Sequence, residues 1–177
     1  MQDIMVDIET LGTTPGSVVL SIGAIMFDPE AGLLGPTFYE EINQQSCFDI
    51  GCTTDASTIL WWNRQSADAR AVLDSTVAKP IQDVLHLFSS FVESTHSKSV
   101  RIWGNGSDFD NVLIISLYNK CNRIPNWKYY NHRCFRTLKN LFPGVPTGEN
   151  TGKHNALNDA IAQAEHACAI FKKMRNR

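Results

Sequence analysis

The stretch Ile4-Met5-Val6-Asp7-Ile8-Glu9-Thr10 places an acidic pair inside an apolar run near the start of the chain. A run of apolar and β-branched residues of this length predicts a β-strand. Because successive side chains of a strand point to opposite faces, Asp7 and Glu9 are expected to project on the same side of it, close to each other. Two carboxylates in that position repel unless a cation lies between them.

Three residues far along the chain are expected to join this pair. Asp110 ends the stretch Trp103-Gly104-Asn105-Gly106-Ser107-Asp108-Phe109-Asp110, and His154 and Asp159 bound the stretch His154-Asn155-Ala156-Leu157-Asn158-Asp159. Five residues apart on a continuous helix, His154 and Asp159 would lie about 140° apart and could not share a site. Asn155 is a good helix cap. We therefore place His154 in a loop and Asp159 in the first turn of a helix, so that both reach one centre.

This set of side chains is typical of metal-assisted phosphodiester chemistry. The proposed metal ligands are Asp7, Glu9, Asp110 and Asp159. Oxygen ligands of this kind favour Mg²⁺ or Mn²⁺ over zinc, which prefers nitrogen and sulfur. Each residue alone has an ordinary explanation, such as a solvated strand end, a charge at a helix N-terminus or a surface histidine. Their joint occurrence in this order, between a strand and a helix, supports a site that holds a pair of divalent cations.

The hydrophobic pattern predicts one α/β domain that spans residues 1–177, with 43% hydrophobic residues. An antiparallel meander of three strands is expected first, followed by a short buried strand and by helices on both faces of a mixed sheet. The predicted strands cover 4–8, 18–27, 37–42 and 100–103, and the predicted helices cover 58–73, 81–92, 108–121 and 156–174. Asp108 is expected to cap the third of these helices, and Trp127, Tyr129 and Tyr130 are expected to pack in the core. The Gly- and Pro-containing segment 143–153 is predicted to be mobile.

The charge is divided unevenly between the two halves of the chain. Residues 1–97 hold 3 of the 16 Lys and Arg and 13 of the 18 acids, a balance of −10, whereas residues 98–177 hold 13 bases and 5 acids, a balance of +8. A basic second half is the expected footprint of a nucleic-acid-binding surface, although an ordinary uneven surface is the alternative.

Five cysteines without a CxxC pair predict reduced thiols and a cytoplasmic protein. The sequence contains no long apolar segment, so a membrane contact is not predicted.

At these motifs the chain resembles the DEDDh 3′→5′ exonucleases of the ribonuclease-H-like superfamily. The stretch Ser57-Thr58-Ile59-Leu60-Trp61-Trp62-Asn63-Arg64-Gln65-Ser66, with Trp103-Gly104-Asn105-Gly106 before Phe109-Asp110, is similar to the branch of phage exonuclease A and mycobacterial RNase AS, to which small phage and prophage exonucleases also belong. The resemblance covers residues 3 to about 172. It implies a ribonuclease-H-like mixed sheet.

The resemblance also implies roles for single residues. Asp7 would bridge two metal ions, Glu9, Asp110 and Asp159 would complete their shells, and His154 would be the general base. Asn155 stands where the sister subclass has a tyrosine, and Cys134 stands where relatives usually have an acid. The residues assigned to substrate binding are Thr10, Leu11, Trp62 and Asn105. Either tryptophan of the pair could stack on a base or pack in the core.

These observations predict an enzyme that releases nucleoside 5′-monophosphates from the 3′ end of a nucleic acid, with a single-stranded end as the expected partner. DNA is slightly favoured as the substrate, and an exoribonuclease of the same chemistry is the alternative. A non-catalytic nucleic-acid-binding subunit is disfavoured because all five catalytic positions are intact, and the placement of His154 argues against an endonuclease or integrase. A homodimer is left open beside a monomer.

Overall fold

A computed structural model of the protein describes residues 1–146 and 154–176, and in these ranges the fold is built around one mixed five-stranded sheet. The strands lie in the order β3-β2-β1-β4-β5. Their bounds are Asp3–Thr10 for β1, Val19–Asp28 for β2, Leu33–Glu41 for β3, Arg101–Gly104 for β4 and His132–Cys134 for β5. Strands β1, β2 and β3 pair antiparallel, and β4 and β5 run parallel to β1. The predicted meander and mixed sheet are confirmed.

Seven α-helices surround the sheet in the described part of the chain. They are α1 (Gln44–Asp49), α2 (Ala56–Trp62), α3 (Ala67–Arg70), α4 (Ile81–Glu93), α5 (Asp110–Lys120), α6 (Phe135–Leu141) and α7 (Ala156–Arg175). Two short 3-10 helices cover Ala71–Asp74 and Tyr129–Asn131. The predicted helices at 81–92 and 156–174 agree with α4 and α7 to within one residue at each end.

Two helix predictions were wrong in detail. The predicted helix over 58–73 is interrupted, because α2 ends at its C-cap Asn63 and the Ser66 side chain accepts a hydrogen bond from Ala69 N to start α3. Local capping thus overrides a continuous helical periodicity. The helix predicted from 108 begins at Asp110, and among the residues described no side chain caps its N-terminus. The expected capping role of Asp108, an exposed residue, is therefore wrong.

The sheet separates two hydrophobic clusters. The larger one joins one face of β1 and β2 to α4 and α5, through residues such as Ile22, Phe88 and Leu117. The smaller one lies on the other face, where Met5 and Phe27 pack against α6 and α7. No described helix is long and apolar enough to cross a membrane.

Gly23 lets the start of α7 lie directly on the sheet. Gly23 pairs with Asp7 across the β1–β2 ladder. A Cβ atom built on Gly23 would lie 2.2 Å from Ala156 C and 2.2 Å from Leu157 N, both backbone atoms. A side chain there would displace the helix start, because real Cβ atoms do not approach backbone this closely. The missing side chain therefore brings the first turn of α7 next to Asp7.

Candidate metal centre

Three carboxylates meet where β1 lies under the first turn of α7. Asp7, Glu9 and Asp159 each offer an oxygen atom, and these atoms lie within 4.8 Å of one another. Asp7 and Glu9 reach one side of β1 as the strand geometry predicts. Asp159 stands in the first turn of α7, whose N-cap Asn155 accepts a hydrogen bond from Asn158 N at 3.1 Å. The predicted helix cap is confirmed, and it places Asp159 above the strand.

Asp110 adds a fourth carboxylate from the N-terminus of α5. Its side chain is 1% exposed and lines one cavity with Asp7, Glu9 and Asp159. Asp110 Oδ2 accepts a hydrogen bond from Asn105 N at 2.7 Å. A Cβ atom on Gly104 would come within 3.0 Å of the Asp110 carboxylate, so the glycine makes room for it at the end of β4.

The electrostatics of this cluster fit a divalent cation. Burial, reinforced by Asp159 and then Asp110, raises the pKa of Glu9 to about 8. Burial and the charges of Asp110 and Glu9 raise the pKa of Asp7 well above its usual range. Burial also raises the pKa of Asp110 to about 6, although the hydrogen bond from Asn105 N lowers it in part. A bound cation would offset the repulsion between these buried carboxylates and favour their ionised form. A donor set made only of oxygen atoms suits Mg²⁺ or Mn²⁺.

His154 lines the same cavity as the carboxylates. Its backbone is in the left-handed region with φ 64°, a conformation that non-glycine residues seldom adopt. Its backbone N–H donates to Asp159 Oδ2 at 3.0 Å, and its ring meets Trp61 edge to face with 4.9 Å between ring centroids. His154 is thus in a loop and near Asp159, as predicted. The remainder of the segment predicted to be mobile, 147–153, lies outside the described residues.

The paired tryptophans divide into a buried and an exposed member. Trp62 is 1% exposed, and its Nε1 donates to Thr10 O at 2.8 Å. Trp61 is 40% exposed. The Trp62 indole thus supports the end of the metal-binding strand, and both tryptophans line the cavity beside the carboxylates, where Trp61 presents the more accessible ring. The assignment of Trp62 to substrate binding stays a prediction.

The other proposed substrate contacts are placed differently. Thr10 lines a cavity of about 610 Å³ beside the carboxylates, which Trp61, Phe109 and Arg136 also line. Leu11 is 6% exposed and packs in the larger hydrophobic cluster. Its assignment to substrate binding stays a prediction. Asn105 lines the carboxylate cavity, and its buried Oδ1 atom has no hydrogen-bond partner in the described structure.

Two polar residues in the centre were not predicted from the sequence. Gln163 Nε2 donates to Asp7 Oδ1 at 2.7 Å and so fixes one oxygen of that carboxylate. Gln163 lies one helical turn after Asp159, and this i, i+4 spacing was the available signal. Arg136 lines both the carboxylate cavity, about 280 Å³, and the neighbouring 610 Å³ cavity. Arg136 is the second residue of α6, just after β5, and a strand of three residues gave no periodic signal.

Cys134 has a local structural role. Its Sγ accepts a hydrogen bond from Thr137 N at 3.4 Å, and Cys134 is the N-cap of α6. An acidic side chain commonly fills this capping position. The thiol therefore replaces it in starting the helix that carries Arg136.

Comparisons with known proteins agree with this architecture. A family model described as the 3′-5′ exoribonuclease Rv2179c-like domain matches residues 2–171. A protein of Enterobacteria phage T4 named exodeoxyribonuclease is 25% identical over 138 residues, which are 70% of this chain and 59% of that protein. The chain thus spans less than two thirds of the length of this curated relative.

Solved structures show the same fold. The nuclease domain of 3′hExo, described as a DEDDh family member bound to rAMP, aligns with a TM-score of 0.67 at 12% identity, covering 97% of this chain and 92% of that one. The zinc-bound E. coli ExoI–ssDNA complex aligns with a TM-score of 0.63 at 18% identity, covering 98% of this chain and 40% of that one. The predicted ribonuclease-H-like fold is confirmed by these neighbours.

Proposed function

This chain belongs to the family of 3′-5′ exoribonuclease Rv2179c-like domains, and we propose that it hydrolyses nucleic acid stepwise from the 3′ end, releasing nucleoside 5′-monophosphates. The observation that carries this proposal is the meeting of Asp7, Glu9 and Asp159 within 4.8 Å, with Asp110 and His154 lining the same cavity. Four carboxylates and one histidine from three separate stretches of the chain converge there. An enzyme that acts on phosphodiesters through bound cations requires such a set.

We assign Asp7, Glu9, Asp110 and Asp159 to the binding of two divalent cations, Mg²⁺ or Mn²⁺. When bound, such cations would lower the pKa of a water molecule and stabilise negative charge on the departing 3′ oxygen. Gln163 Nε2 donates to Asp7 Oδ1, and Asn105 N donates to Asp110 Oδ2, so each of these carboxylates is held in place by a hydrogen bond. The protein thereby orients its ligands before a cation arrives.

His154 is proposed to accept the proton of the attacking water. Two contacts hold His154 at the cavity: its backbone N–H donates to Asp159 Oδ2, and its ring meets the Trp61 ring edge to face. A positioned base of this kind typically contributes about 10²–10⁴-fold to the rate.

Arg136 is proposed to bind the phosphate that is attacked. Among the described residues that line the carboxylate cavity, Arg136 carries a permanent positive charge, and it also lines the cavity beside Trp61. A terminal nucleotide fits a cavity of about 610 Å³, since ligand pockets commonly measure about 300–1,000 Å³. A nucleotide in that cavity would bring its phosphate towards Arg136 and the carboxylates together.

Whether the substrate is RNA or DNA is tested by the same experiment as the activity. The family description names an exoribonuclease, which favours RNA, whereas the phage relative is named an exodeoxyribonuclease, which favours DNA. We propose a single-stranded 3′ end as the substrate for both. A cytoplasmic location is also proposed, because all five cysteines are free thiols.

The test uses matched 5′-labelled DNA and RNA strands, single- and double-stranded, with Mg²⁺ or Mn²⁺. A ladder of shortening products is expected, EDTA should abolish it, and a blocked 3′ terminus should resist. Zn²⁺ alone should support little turnover. Cleavage of a circular single strand would overturn the exonuclease proposal in favour of an endonuclease, and full activity in chelator would overturn the metal assignment.

A further inference from the structure

Two adjacent tyrosines are displayed on the surface, although the sequence predicted that they would pack. Tyr129 is 80% exposed and Tyr130 is 65% exposed, and their rings meet edge to face at 5.4 Å between centroids. The expectation that both would be core residues is therefore wrong. Large aromatic rings that remain exposed side by side indicate a surface that binds something.

The backbone that carries these rings is anchored by the buried side chain of Trp127. Trp127 is 7% exposed, and its Nε1 donates to His132 Nε2 at 3.0 Å. The Trp127 ring also meets Phe88 and Tyr118 edge to face. The 3-10 helix that bears Tyr129 and Tyr130 is thus held between a buried anchor and strand β5. Exposure of the two rings follows from this anchoring rather than from a loosely attached loop.

The segment around the tyrosines is basic. Between Asp110 and Glu149 the chain has no Asp or Glu, while residues 120–139 carry six Lys or Arg. Lys128 precedes the pair, and Arg133 Nη1 donates to Tyr130 O at 3.2 Å. An acidic residue from another element also contacts this segment: Glu93 on α4 accepts a hydrogen bond from Asn126 Nδ2 at 3.2 Å.

We propose that Lys128, Tyr129, Tyr130 and Arg133, the tyrosine surface, bind the single-stranded part of a nucleic acid whose 3′ end lies in the catalytic centre. This inference rests on the proposed function and extends it. Aromatic rings stack on any base, and basic side chains contact the phosphates, which is how proteins bind single strands without sequence preference. A second copy of this chain is a poorer occupant, because two surfaces with the same positive charge repel.

The fold connects this surface to the catalytic centre. Strand β5 begins three residues after Tyr129, pairs with β4 through Cys134 and Gly104, and leads into α6 with Arg136. Asn105, which lines the carboxylate cavity, follows Gly104 directly. At about 3.3 Å per residue, β5 covers roughly 10 Å. A strand that leaves the catalytic centre past Arg136 therefore needs to extend only along β5 to reach the tyrosines.

The test compares substrates of two lengths. The double variant Tyr129→Ala/Tyr130→Ala is assayed on a trinucleotide and on an oligonucleotide of about twenty nucleotides, longer than the usual site of about 4–16 nucleotides. We expect KM for the long substrate to rise about 10- to 100-fold, kcat to stay unchanged, and both constants for the trinucleotide to stay unchanged. Tyr129→Phe/Tyr130→Phe should restore the long-substrate KM, because it keeps the rings. Ile124→Ala, which trims an 89% exposed neighbour, is the matched control and should have no effect.

Binding without turnover separates this inference from the proposed function. Fluorescence anisotropy of the labelled long oligonucleotide, with Ca²⁺ replacing the catalytic cations, should show the same 10- to 100-fold loss in the alanine variant. If the protein hydrolyses no substrate, the proposed function fails, and the anisotropy result still decides the inference. Unchanged affinity of the alanine variant, or an equal loss on both substrate lengths, would overturn the inference. So would a parent protein that is a dimer and an alanine variant that is a monomer in size-exclusion chromatography with light scattering.

Discussion

Replacing Glu9 by glutamine should stabilise the metal-free protein while it destroys the metal site. Burial and two neighbouring carboxylates raise the pKa of Glu9 from 4.5 to about 8. A carboxyl group whose pKa is higher in the folded state favours folding most below its unfolded pKa, and this contribution is lost as pH rises towards the folded pKa. Ionised Glu9 therefore penalises the metal-free fold at neutral pH.

The size of the penalty follows from the shift. At about 1.36 kcal/mol per pKa unit, it amounts to about 3 kcal/mol at pH 7 and to less than about 1 kcal/mol at pH 5. Glu9→Gln keeps the shape of the side chain and removes its charge, so it should raise the free energy of unfolding by these amounts. For a chain of this length, about 3 kcal/mol corresponds to a rise in Tm of roughly 6–12 °C.

The assay is urea denaturation of chelator-treated protein at pH 5 and pH 7, followed by circular dichroism. Asp108→Asn, which removes an exposed acid near the same centre, is the control and should leave stability unchanged at both pH values. Saturating Mn²⁺ should then stabilise the parent protein, by about 2.7 kcal/mol at one hundred times Kd, and the Glu9→Gln variant much less. A variant that is no more stable than the parent at pH 7, or equally stabilised at both pH values, would refute the electrostatic account of the cluster.

Three further predictions concern catalysis. His154→Ala should keep metal and substrate binding yet reduce kcat by about 10²–10⁴-fold at saturating metal, and an unchanged kcat would exclude His154 as the base. Asp110→Asn should abolish activity with an unchanged circular dichroism spectrum, whereas Asp108→Asn should be nearly silent, and the reverse pattern would show that the third ligand is misplaced. Arg136→Gln should lower kcat/KM and reduce its salt dependence by about one phosphate contact, while Lys139→Gln, on the same helix but away from both cavities, should leave kcat/KM near the parent value.

The sequence predicted those features of the fold and the site that depend on side-chain chemistry and on the periodicity of strands and helices. Asp7 and Glu9 share a strand face because the period of a strand is fixed at two, and Asn155 capped a helix because its side chain has a local partner. The long helices α4 and α7 showed a clear periodicity that the fold kept. Local rules predicted the element that carries each residue, whereas the joint occurrence of the motifs and the family resemblance predicted that the four carboxylates and His154 would line one cavity.

Other features depend on contacts between distant parts of the chain, and the sequence could not specify them. Trp62 is buried because its indole donates to Thr10 O, 52 residues earlier, and nothing in the local pattern separates it from Trp61. Leu11 is buried for a similar reason, since its backbone is hydrogen-bonded to Val18 O and to Asp55 N, which is 44 residues later, and its side chain belongs to the larger hydrophobic cluster. Of the three aromatic residues at 127–130, Trp127 is buried while Tyr129 and Tyr130 are exposed, and the local sequence does not distinguish them.

Gly23 has a consequence for how mutational scans of this protein are interpreted. It carries no functional group, yet any side chain there meets the backbone of Ala156 and Leu157 and lifts Asp159 away from Asp7. In a saturation scan scored by activity, Gly23 should be as intolerant as the ligands themselves. Scored by abundance of folded protein, it should tolerate alanine better than a core position such as Phe88. A residue that contributes only vacant space would thus carry the mutational signature of a catalytic one.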